Sequence, residues 1–372
     1  MSILTVPFFD LQRQHDSLRT ELNAAALDAL NSMKWLLGPQ TENFEKEMAD
    51  LLGVKHCISC SSGAGAIQLS LLAAGIQETD EVITTPFTFI ATTSSISLTG
   101  AKFVFADIDP KTYNLCPHDI ARKITSKTKA ILPVHLYGAP ADMRGIMALA
   151  KEHGLKVIED CAQSLLATSQ GCKTGTFGHA GAFSFYPSKN LGACGDAGAI
   201  ITNDDDIANR CRSLRHSGRN KDKEYEHDLE GSTLRMDEVQ AAILRVKLKH
   251  LPQWTASRQK IASWYEQGLQ GLPLTLPTTV YPEDTHTYCV YTIATERRDS
   301  LQLFLKEKGV STRIYYPVAL YRQPAYKHFH YQKTDFPSTE KACQEVLSLP
   351  MFPELTEQEV SYVCDCIRSF YQ

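Results

Sequence analysis

The chain has 372 residues, of which 43% are hydrophobic and 22% are charged. This composition is that of a globular protein and excludes disordered, collagen-like and mucin-like chains. The 38 basic and 42 acidic residues give a net charge of -4, which argues against a nucleic-acid-binding protein.

The eleven cysteines are an odd number at irregular spacing, which predicts a reducing compartment and hence a cytoplasmic protein. The Cys57-x-x-Cys60 pair lacks the second ligand pair of a zinc site, so we expect no metal. The apolar start Met1–Phe9 carries no basic residue, and we expect no targeting segment. The charge-free stretches 56–77 and 82–101 are too rich in Ser, Thr and Gly for membrane spans, so we expect no membrane association.

Short apolar runs alternate with helical patterns over the first two thirds of the chain. The predicted strands are His56–Cys60, Glu81–Thr84, Lys102–Ala106, Ala130–Val134, Leu155–Glu159, Phe183–Phe185 and Ala199–Thr202. The predicted helices are Ala64–Ala74, Thr88–Leu98, Asp142–His153 and Asp204–Leu214. This alternation predicts an α/β fold with a mostly parallel sheet covered by helices on both faces.

The pattern changes after about residue 203, where the strict alternation ends. The predicted elements are a basic loop at Arg210–Lys223, a helix at Met236–Leu251 interrupted or kinked at Pro252, a second helix to about Leu269, a strand at Tyr288–Ala294, and helices at Ser300–Lys308 and Thr356–Phe370. We therefore predict a large domain at 1–250 and a small domain at 251–372.

Two strand ends carry residues that could do chemistry. The predicted strand Leu155–Glu159 leads into Asp160, whose carboxylate could pair with a cationic ligand atom or could cap a helix, and the residues alone favour neither. Lys189 follows a short strand that contains Ser184. A desolvated lysine amine can form a covalent bond to a carbonyl group, although most loop lysines lie at the surface.

Two other segments could bind a ligand. The turn Ser59–Ala66 opens an apolar helix, so its N–H groups could bind a phosphate, although a plain tight turn is the commoner explanation. Phe89, within Thr85–Thr92, could face a planar ring or fill the core. Pyridoxal phosphate (PLP) requires these four features together: a phosphate cradle, a stacking aromatic ring, a strand-end carboxylate and a lysine.

The whole chain resembles the DegT/DnrJ/EryC1/StrS family of nucleotide-sugar aminotransferases. The shared motifs are Val6–Leu11, Leu37–Pro39, Ser62-Gly63, Pro86–Phe89, Glu159–Gln163, Phe183–Phe185, Lys189–Gly192, Arg235-Met236, Gln240–Ala242, Tyr316-Pro317 and Gln323–Tyr326. The resemblance implies the PLP-dependent transferase fold type I, with a mostly parallel seven-stranded sheet in the large domain and a smaller α+β C-terminal domain. It also implies PLP as cofactor, which becomes pyridoxamine 5'-phosphate during turnover, and a homodimer with shared active sites.

The resemblance assigns roles to individual residues. Lys189 would be the catalytic residue, linked to the cofactor and later moving a proton between the sugar and the cofactor. Asp160 would pair with the pyridine nitrogen, Gln163, one helical turn further on, would contact the ring, and Phe89 would stack on it. The expected phosphate-binding residues are Gly63, Ala64, Gly65, Ser184 and, from the neighbouring subunit, Thr233. Ala64 and Thr233 replace a threonine and an asparagine that are usual in the family, so the phosphate contacts stay open.

The basic loop predicts residues for substrate binding. We expect His216, Arg219 or Arg235 to approach the substrate diphosphate or the partner subunit, because arginine binds phosphate through two hydrogen bonds. A solvated loop is the alternative for each of them. Tyr316 resembles a position near the sugar.

The implied reaction moves an amino group from L-glutamate to a keto group of a UDP- or dTDP-linked hexose, for aminosugar and polysaccharide biosynthesis. The sequence resembles the relatives that use a 3-oxo sugar more than those that use a 4-oxo sugar. A sugar dehydratase of the same family would carry histidine in place of Lys189. The other alternative is a non-catalytic sugar-binding or regulatory protein, against which the intact Lys189, Asp160 and Ser184 argue.

Overall fold

The computed structural model describes residues 4–372, so the first three residues of the apolar start and of the predicted large domain lie outside the described residues. The helices are α1 (Leu11–Asn31), α2 (Pro39–Leu52), α3 (Gly63–Ala73), α4 (Ala91–Ser97), α5 (Pro117–Lys123), α6 (Met143–His153), α7 (Asp205–Leu214), α8 (Glu238–Leu248), α9 (Leu251–Leu269), α10 (Arg298–Glu307), α11 (Pro337–Glu345) and α12 (Glu357–Tyr371). Short 3-10 helices lie at Leu136–Gly138, Leu320–Arg322, Pro324–Phe329 and Lys333–Asp335.

The strands are β1 (His56–Cys60), β2 (Glu81–Thr84), β3 (Lys102–Phe105), β4 (Thr128–Ile131), β5 (Lys156–Asp160), β6 (Thr168–Ser169), β7 (Cys172–Lys173), β8 (Ala180–Ser184), β9 (Gly198–Thr202), β10 (Tyr291–Ala294) and β11 (Val346–Leu349). Seven of them form one sheet in the order β1-β9-β8-β5-β4-β2-β3. Neighbours from β3 to β8 are parallel, and β9 alone runs against both β8 and β1. The predicted mostly parallel seven-stranded sheet is confirmed.

Hydrophobic side chains cover both faces of this sheet. Consecutive strand residues such as Ile200 and Ile201, or Ile158 and Val157, belong to different buried clusters. Successive side chains on a strand point to opposite faces, so each pair contributes to the core on both sides. Such strands read as continuous apolar runs, which is why they were recognisable in the sequence.

The prediction that the helical pattern is interrupted or kinked at Pro252 is confirmed in its first form. Pro252 lies in the first turn of α9, where its missing N–H costs nothing, so a new helix begins there. Several element bounds differ from the predicted ones, and two differences concern the site. The helix predicted from Thr88 begins at Ala91, because residues 85–90 form bends and a turn at the end of β2. Gln163 lies in a succession of turns after β5 and not one helical turn beyond Asp160.

The C-terminal third divides its packing between two hydrophobic clusters. Helices α9, α10 and α12 pack around the antiparallel pair β10-β11, together with Val6 from the start of the chain. Leu320 and Phe336, in contrast, are buried in the cluster that covers the large sheet. A division into domains at residue 250 stays a prediction. Among residues 4–372, none of the helices combines the length and the apolarity that crossing a bilayer requires.

Candidate active site

Asp160 is the last residue of β5, at the end of the sheet where the parallel strands β4, β5 and β8 reach their carboxyl ends. Its side chain is 4% exposed. Oδ1 accepts a hydrogen bond from the Ala162 N–H at 3.1 Å, and Oδ2 accepts one from the Thr92 hydroxyl at 2.9 Å. Burial raises the pKa of Asp160, while these hydrogen bonds and the charge of Lys189 oppose that rise. The site therefore holds a buried carboxylate next to a lysine, at the edge where ligands bind in such sheets.

The adjacent carboxylate of Glu159 has a different environment. Glu159, His135 and Cys161 are buried, with possible ligand atoms within 4.8 Å of one another. Hydrogen bonds already occupy this group. The Ala141 N–H donates to His135 Nδ1 at 3.0 Å, so His135 Nε2 carries the proton that it donates to Glu159 at 2.9 Å. Three backbone N–H groups of the loop 175–178 also donate to Glu159. These hydrogen bonds therefore connect the loop around His135 with the loop 175–178.

The turn between β1 and α3 lies against the end of β8. A Cβ placed on Gly63 would lie 2.6 Å from the Cβ of Ser184, so these two predicted phosphate ligands are neighbours. The N–H of Gly65 is engaged, since it donates to the capping side chain of Ser62 at 3.0 Å. Within the described residues, the N–H groups of Gly63 and Ala64 are then the first-turn donors that remain for an anion.

Lys189 lies in the turn that follows β8, half-buried, with its backbone N–H donating to the Tyr186 carbonyl at 2.8 Å. The loop beyond it is fixed at two points. Asn190 Nδ2 donates to the Thr287 carbonyl at 3.2 Å, and the buried ammonium group of Lys247 donates to the Gly192 carbonyl at 2.7 Å. The lysine is therefore carried by a restrained loop.

Gln163, Tyr316 and Phe89 lie together on one side of this site. The Gln163 Oε1 accepts a hydrogen bond from the Tyr137 N–H at 2.6 Å, and its Nε2 donates to the Tyr316 hydroxyl at 3.3 Å. Burial raises the pKa of Tyr316, so its phenol stays protonated at neutral pH. The rings of Phe89 and Tyr316 are 6.5 Å apart, at 31°. Phe89 is 59% exposed, so it does not fill the core, whereas Phe87 does.

A second group contains the other predicted residues, His216, Arg219, Arg235 and Thr233. Arg235 Nη1 lies 2.7 Å from His216 Nδ1, and Arg219 Nη1 lies 3.3 Å from His216 Nε2. Burial, followed by the charges of the two arginines, lowers the pKa of His216. A neutral imidazole accepts at one nitrogen only, so one arginine keeps an unsatisfied donor. Thr233 is exposed, and its hydroxyl lies 3.5 Å from that of Ser217.

An open cleft borders this second group. The cleft, of 800 Å³, is lined among others by His216, Arg210, Arg212, Arg219, Lys221 and Lys223. The buried Nε of Arg235 has no hydrogen-bond partner among the described residues. Leu234, which precedes Arg235, accepts a hydrogen bond from the Ser61 N–H at 2.9 Å, so the second group adjoins the turn that begins α3. Asp222, Glu224 and Asp228 also line the cleft, and Arg219 pairs with Glu224 at 3.2 Å. The five arginine and lysine side chains of the lining still outnumber these three carboxylates, which suits an anionic ligand.

Sequence reasoning missed three residues that hold the site together. Thr92 binds the Asp160 carboxylate, the Tyr137 N–H holds Gln163, and Lys247 anchors the loop that follows Lys189. Only Thr92 gave a signal, because it stands four residues after Thr88 in the Thr85–Thr92 segment and the two hydroxyls could share one face.

The chain is similar to proteins of several bacteria over almost its full length. A "Pleiotropic regulatory protein" of Geobacillus stearothermophilus is 46% identical over 99% of both chains. A "UDP-N-acetyl-3-dehydro-alpha-D-glucosamine 3-aminotranferase" of Acidithiobacillus ferrooxidans is 42% identical over 98% of this chain and 97% of that protein.

Solved structures share the fold. S. venezuelae DesV, solved in complex with a ketimine intermediate, superposes with a TM-score of 0.96 at 40% identity and 99% coverage of both chains. NtdA of Bacillus subtilis, solved with bound cofactor PMP, has a TM-score of 0.91 at 31% identity, with 99% of this chain and 86% of that chain covered. The fold expected from the sequence is therefore confirmed.

The family match covers nearly all of the elements that build the site. Residues 16–368 match the DegT/DnrJ/EryC1/StrS aminotransferase family. With its mostly parallel sheet, its strand-end aspartate and its lysine loop, the chain belongs to the DegT/DnrJ/EryC1/StrS aminotransferase family.

Proposed function

We propose that this protein uses PLP to transfer an amino group from L-glutamate to the keto group of a nucleotide-linked hexose. The observation that carries the proposal is the buried Asp160 carboxylate, hydrogen-bonded by Thr92 and Ala162 at the strand end that also adjoins Lys189. Burial raises the pKa of Asp160, so a cationic partner would stabilise its ionised form. A buried carboxylate of this kind is a candidate for a functional site.

The donor set fits the cofactor. Gly63 and Ser184 approach so closely that a single methyl group on Gly63 would fill the space between them. Their N–H and hydroxyl groups, at the beginning of α3, suit the phosphate. Asp160 suits the ring nitrogen, Phe89 offers an exposed ring, and the Lys189 amine suits the aldehyde carbon. PLP, when bound, supplies an electron sink for proton transfer at the carbon that carries the amino group.

The protein's own residues supply binding and proton transfer. Asp160 accepts the hydrogen bond of the ring N–H and keeps that nitrogen protonated. Lys189 Nζ removes the proton from the carbon of the amino donor and returns a proton to the carbon of the acceptor sugar. The Tyr137 N–H fixes Gln163, whose amide group donates to the Tyr316 hydroxyl, and both side chains border the same space.

The second group binds the diphosphate of the nucleotide sugar in this proposal. Arg235 and Arg219 surround a neutral His216, and Arg235 retains an unpartnered Nε among the described residues. A diphosphate provides acceptors for these donors. The Acidithiobacillus relative named for a 3-aminotransferase reaction on a UDP-sugar supports a 3-oxo substrate over a 4-oxo substrate.

The first experiment is an absorption spectrum of the purified protein with PLP, before and after addition of L-glutamate. We expect a visible band that glutamate bleaches and that borohydride reduction fixes on Lys189. The Lys189→Ala variant should bind PLP without this band and without turnover. The glutamate-treated protein is then offered 3-oxo and 4-oxo UDP- and dTDP-hexoses, and we expect faster recovery of the band with a 3-oxo sugar.

A specific similarity favours one alternative, since the Geobacillus relative is named as a regulatory protein. That alternative predicts a protein that binds a nucleotide sugar without transferring nitrogen. Absence of the visible band at saturating PLP, together with retained binding of a UDP-hexose, would favour it over catalysis.

A further inference from the structure

Thr88 and Thr92 form a chain of hydroxyl groups that ends on Asp160. The Thr88 and Thr92 hydroxyl oxygens are 3.1 Å apart, and the Thr92 hydroxyl lies 2.9 Å from Asp160 Oδ2. The two side chains are 4% and 1% exposed. Thr88 lies in the turns after β2 and Thr92 in the first turn of α4, and the path of the chain between them brings the two hydroxyl groups together.

The direction of the protons in this chain follows from hydrogen-bond chemistry. An ionised carboxylate only accepts hydrogen bonds, so the single hydroxyl proton of Thr92 is donated to Asp160. The Thr92 oxygen is then an acceptor, and Thr88 must be its donor. Both hydroxyl dipoles therefore point their positive ends toward Asp160, and each strengthens the other.

The behaviour of Thr92 differs from that of its neighbour on α4. A threonine hydroxyl in a helix ordinarily bonds to a backbone carbonyl one turn earlier. Thr93 does so with the Ile90 carbonyl at 3.0 Å, and it also contacts the Tyr326 hydroxyl at 2.9 Å. The Thr92 hydroxyl instead reaches a carboxylate 68 residues further along the chain.

We propose that Thr92, supported by Thr88, is a positioning residue that fixes the Asp160 carboxylate in its ionised form, ready to accept the ring N–H of PLP. This inference rests on the proposed function. Burial raises the pKa of Asp160, and the Thr92 hydrogen bond is among the contacts that lower it again. The other titratable groups that face Asp160 are Lys189, His135, Cys161 and Tyr316, and the Thr92 variants leave all of them in place.

The test measures the affinity of the apoprotein for PLP, by quenching of protein fluorescence, as a function of pH. Thr92→Val removes the donor at nearly constant volume. Because Asp160 would then be protonated at higher pH, we expect the acidic decline in PLP affinity to move upward by about one pH unit, which is about tenfold in affinity on that limb. Thr92→Ser keeps the hydroxyl and should restore the wild-type profile. Thr88→Val should cause a smaller shift in the same direction.

Thr93→Val is the matched control, because it removes an equally buried hydroxyl from the same helix. We expect it to lower the melting temperature without moving the pH profile of PLP affinity. An unshifted profile for Thr92→Val, or a shift that Thr92→Ser fails to reverse, would overturn the inference. If Thr92→Val does not fold, an unshifted Thr88→Val profile overturns it. Failure of the wild-type protein to bind PLP at any pH would overturn the proposed function itself, so the two results are distinguishable.

Discussion

At the scale of single residues, β5 places two adjacent carboxylates on opposite faces of the sheet. Glu159 accepts four hydrogen bonds and connects the loops around residues 135 and 175–178. Asp160 accepts two, one on each oxygen, and keeps lone pairs for a ligand. The alternation of strand side chains therefore separates a carboxylate that connects loops from one that we propose to bind the cofactor, within two residues.

A methyl group on Gly63 tests the phosphate cradle. In Gly63→Ala the new Cβ would lie 2.6 Å from the Cβ and 3.1 Å from the Cα of Ser184, neither of which can swing away. We expect at least about tenfold weaker PLP binding and a destabilisation of about 1–3 kcal/mol from overpacking. Equilibrium binding and urea unfolding would measure both. In Gly65→Ala the nearest atom would be the Ser62 hydroxyl at 3.4 Å, so the loss should be much smaller. Equal effects of the two substitutions would contradict the cradle.

Substitution of Arg235 tests the second group. In Arg235→Gln, one charged donor beside His216 is lost, and we expect the KM for the nucleotide sugar to rise by about tenfold or more, as is usual for a lost charge-assisted hydrogen bond. The half-reaction with glutamate should proceed at its wild-type rate, because glutamate carries no diphosphate. Stopped-flow spectra would follow that half-reaction alone. Arg219→Ala should behave in the same way, and an unchanged KM would remove the residue concerned from the substrate site.

At the scale of elements, helices α8 and α4 contribute side chains that hold the loops and the carboxylate of the candidate site. Helix α8 contributes Lys247 to the loop after Lys189, and the Gln240 side chain accepts the Cys194 N–H at 2.9 Å in the same loop. Helix α4 contributes Thr92 to Asp160. Residues 85–90 form turns before α4 begins at Ala91, and Phe89 lies exposed in these turns. The helices thus fix the positions of the loops that carry the proposed site residues.

An ion pair between α1 and α12 gives a pH-dependent prediction. Arg13 donates to both oxygens of Glu359, at 2.6 and 2.9 Å, and Thr356 adds a capping hydrogen bond. Its hydrogen bonds to Arg13, above all, lower the pKa of Glu359 from 4.5 to about 2. The stabilisation is therefore complete above the unfolded pKa of 4.5 and is lost as the pH falls through the folded value of about 2.

Glu359→Gln should consequently lower the free energy of unfolding by about 1–3 kcal/mol at neutral pH, and the difference from the wild type should shrink as the pH falls toward the folded pKa. Urea unfolding at several pH values would measure it. Glu357→Gln, an exposed residue in the same first turn of α12, is the control and should cost little. A pH-independent difference would show that the carboxylate charge is not responsible.

At the scale of the whole molecule, one face of the chain exposes large apolar side chains. Leu27, Leu30, Met33, Trp35 and Leu36 are all exposed near the end of α1 and in the segment that follows it. Exposed apolar side chains grouped in one segment are typical of a protein interface. We propose that a second copy of the chain covers them in a homodimer, as the family resemblance implies.

Shared active sites can be tested by combining Lys189→Ala, which should be inactive, with Arg235→Gln, which should have a raised KM for the nucleotide sugar. The two variants are coexpressed with different tags, and the mixed dimer is purified. If Arg235 serves the site of the partner, the mixed dimer contains one site with both native residues, and we expect about half of the wild-type maximal rate at the wild-type KM. If both residues act within one chain, the single site that keeps Lys189 lacks Arg235, and we expect the raised KM of the Arg235→Gln parent. The parent homodimers are the controls.

The sequence by itself indicated which segments form the strands of the sheet, which residues follow the strand ends, and the family. Short apolar runs that alternate with helical patterns predict strands buried on both faces, and the carboxyl ends of parallel strands lie at a common end of the sheet. A ligand site near Asp160 could therefore be expected, and the family resemblance added Lys189 to it. The helix expected beyond Asp160 was wrong, and α1, α2 and β11 were not predicted, because short or polar elements depend on what packs against them.

Only the tertiary structure decided how the site is tuned. The Thr92 hydroxyl reaches Asp160 across 68 residues, and two arginines converge on His216 from different segments. Phe87 is buried while Phe89, two residues later, is exposed. Periodicity describes neighbours on one element, whereas these contacts join different elements. Their hydrogen bonds and burial are fixed by packing across the sheet and loops, which no local pattern in the sequence records.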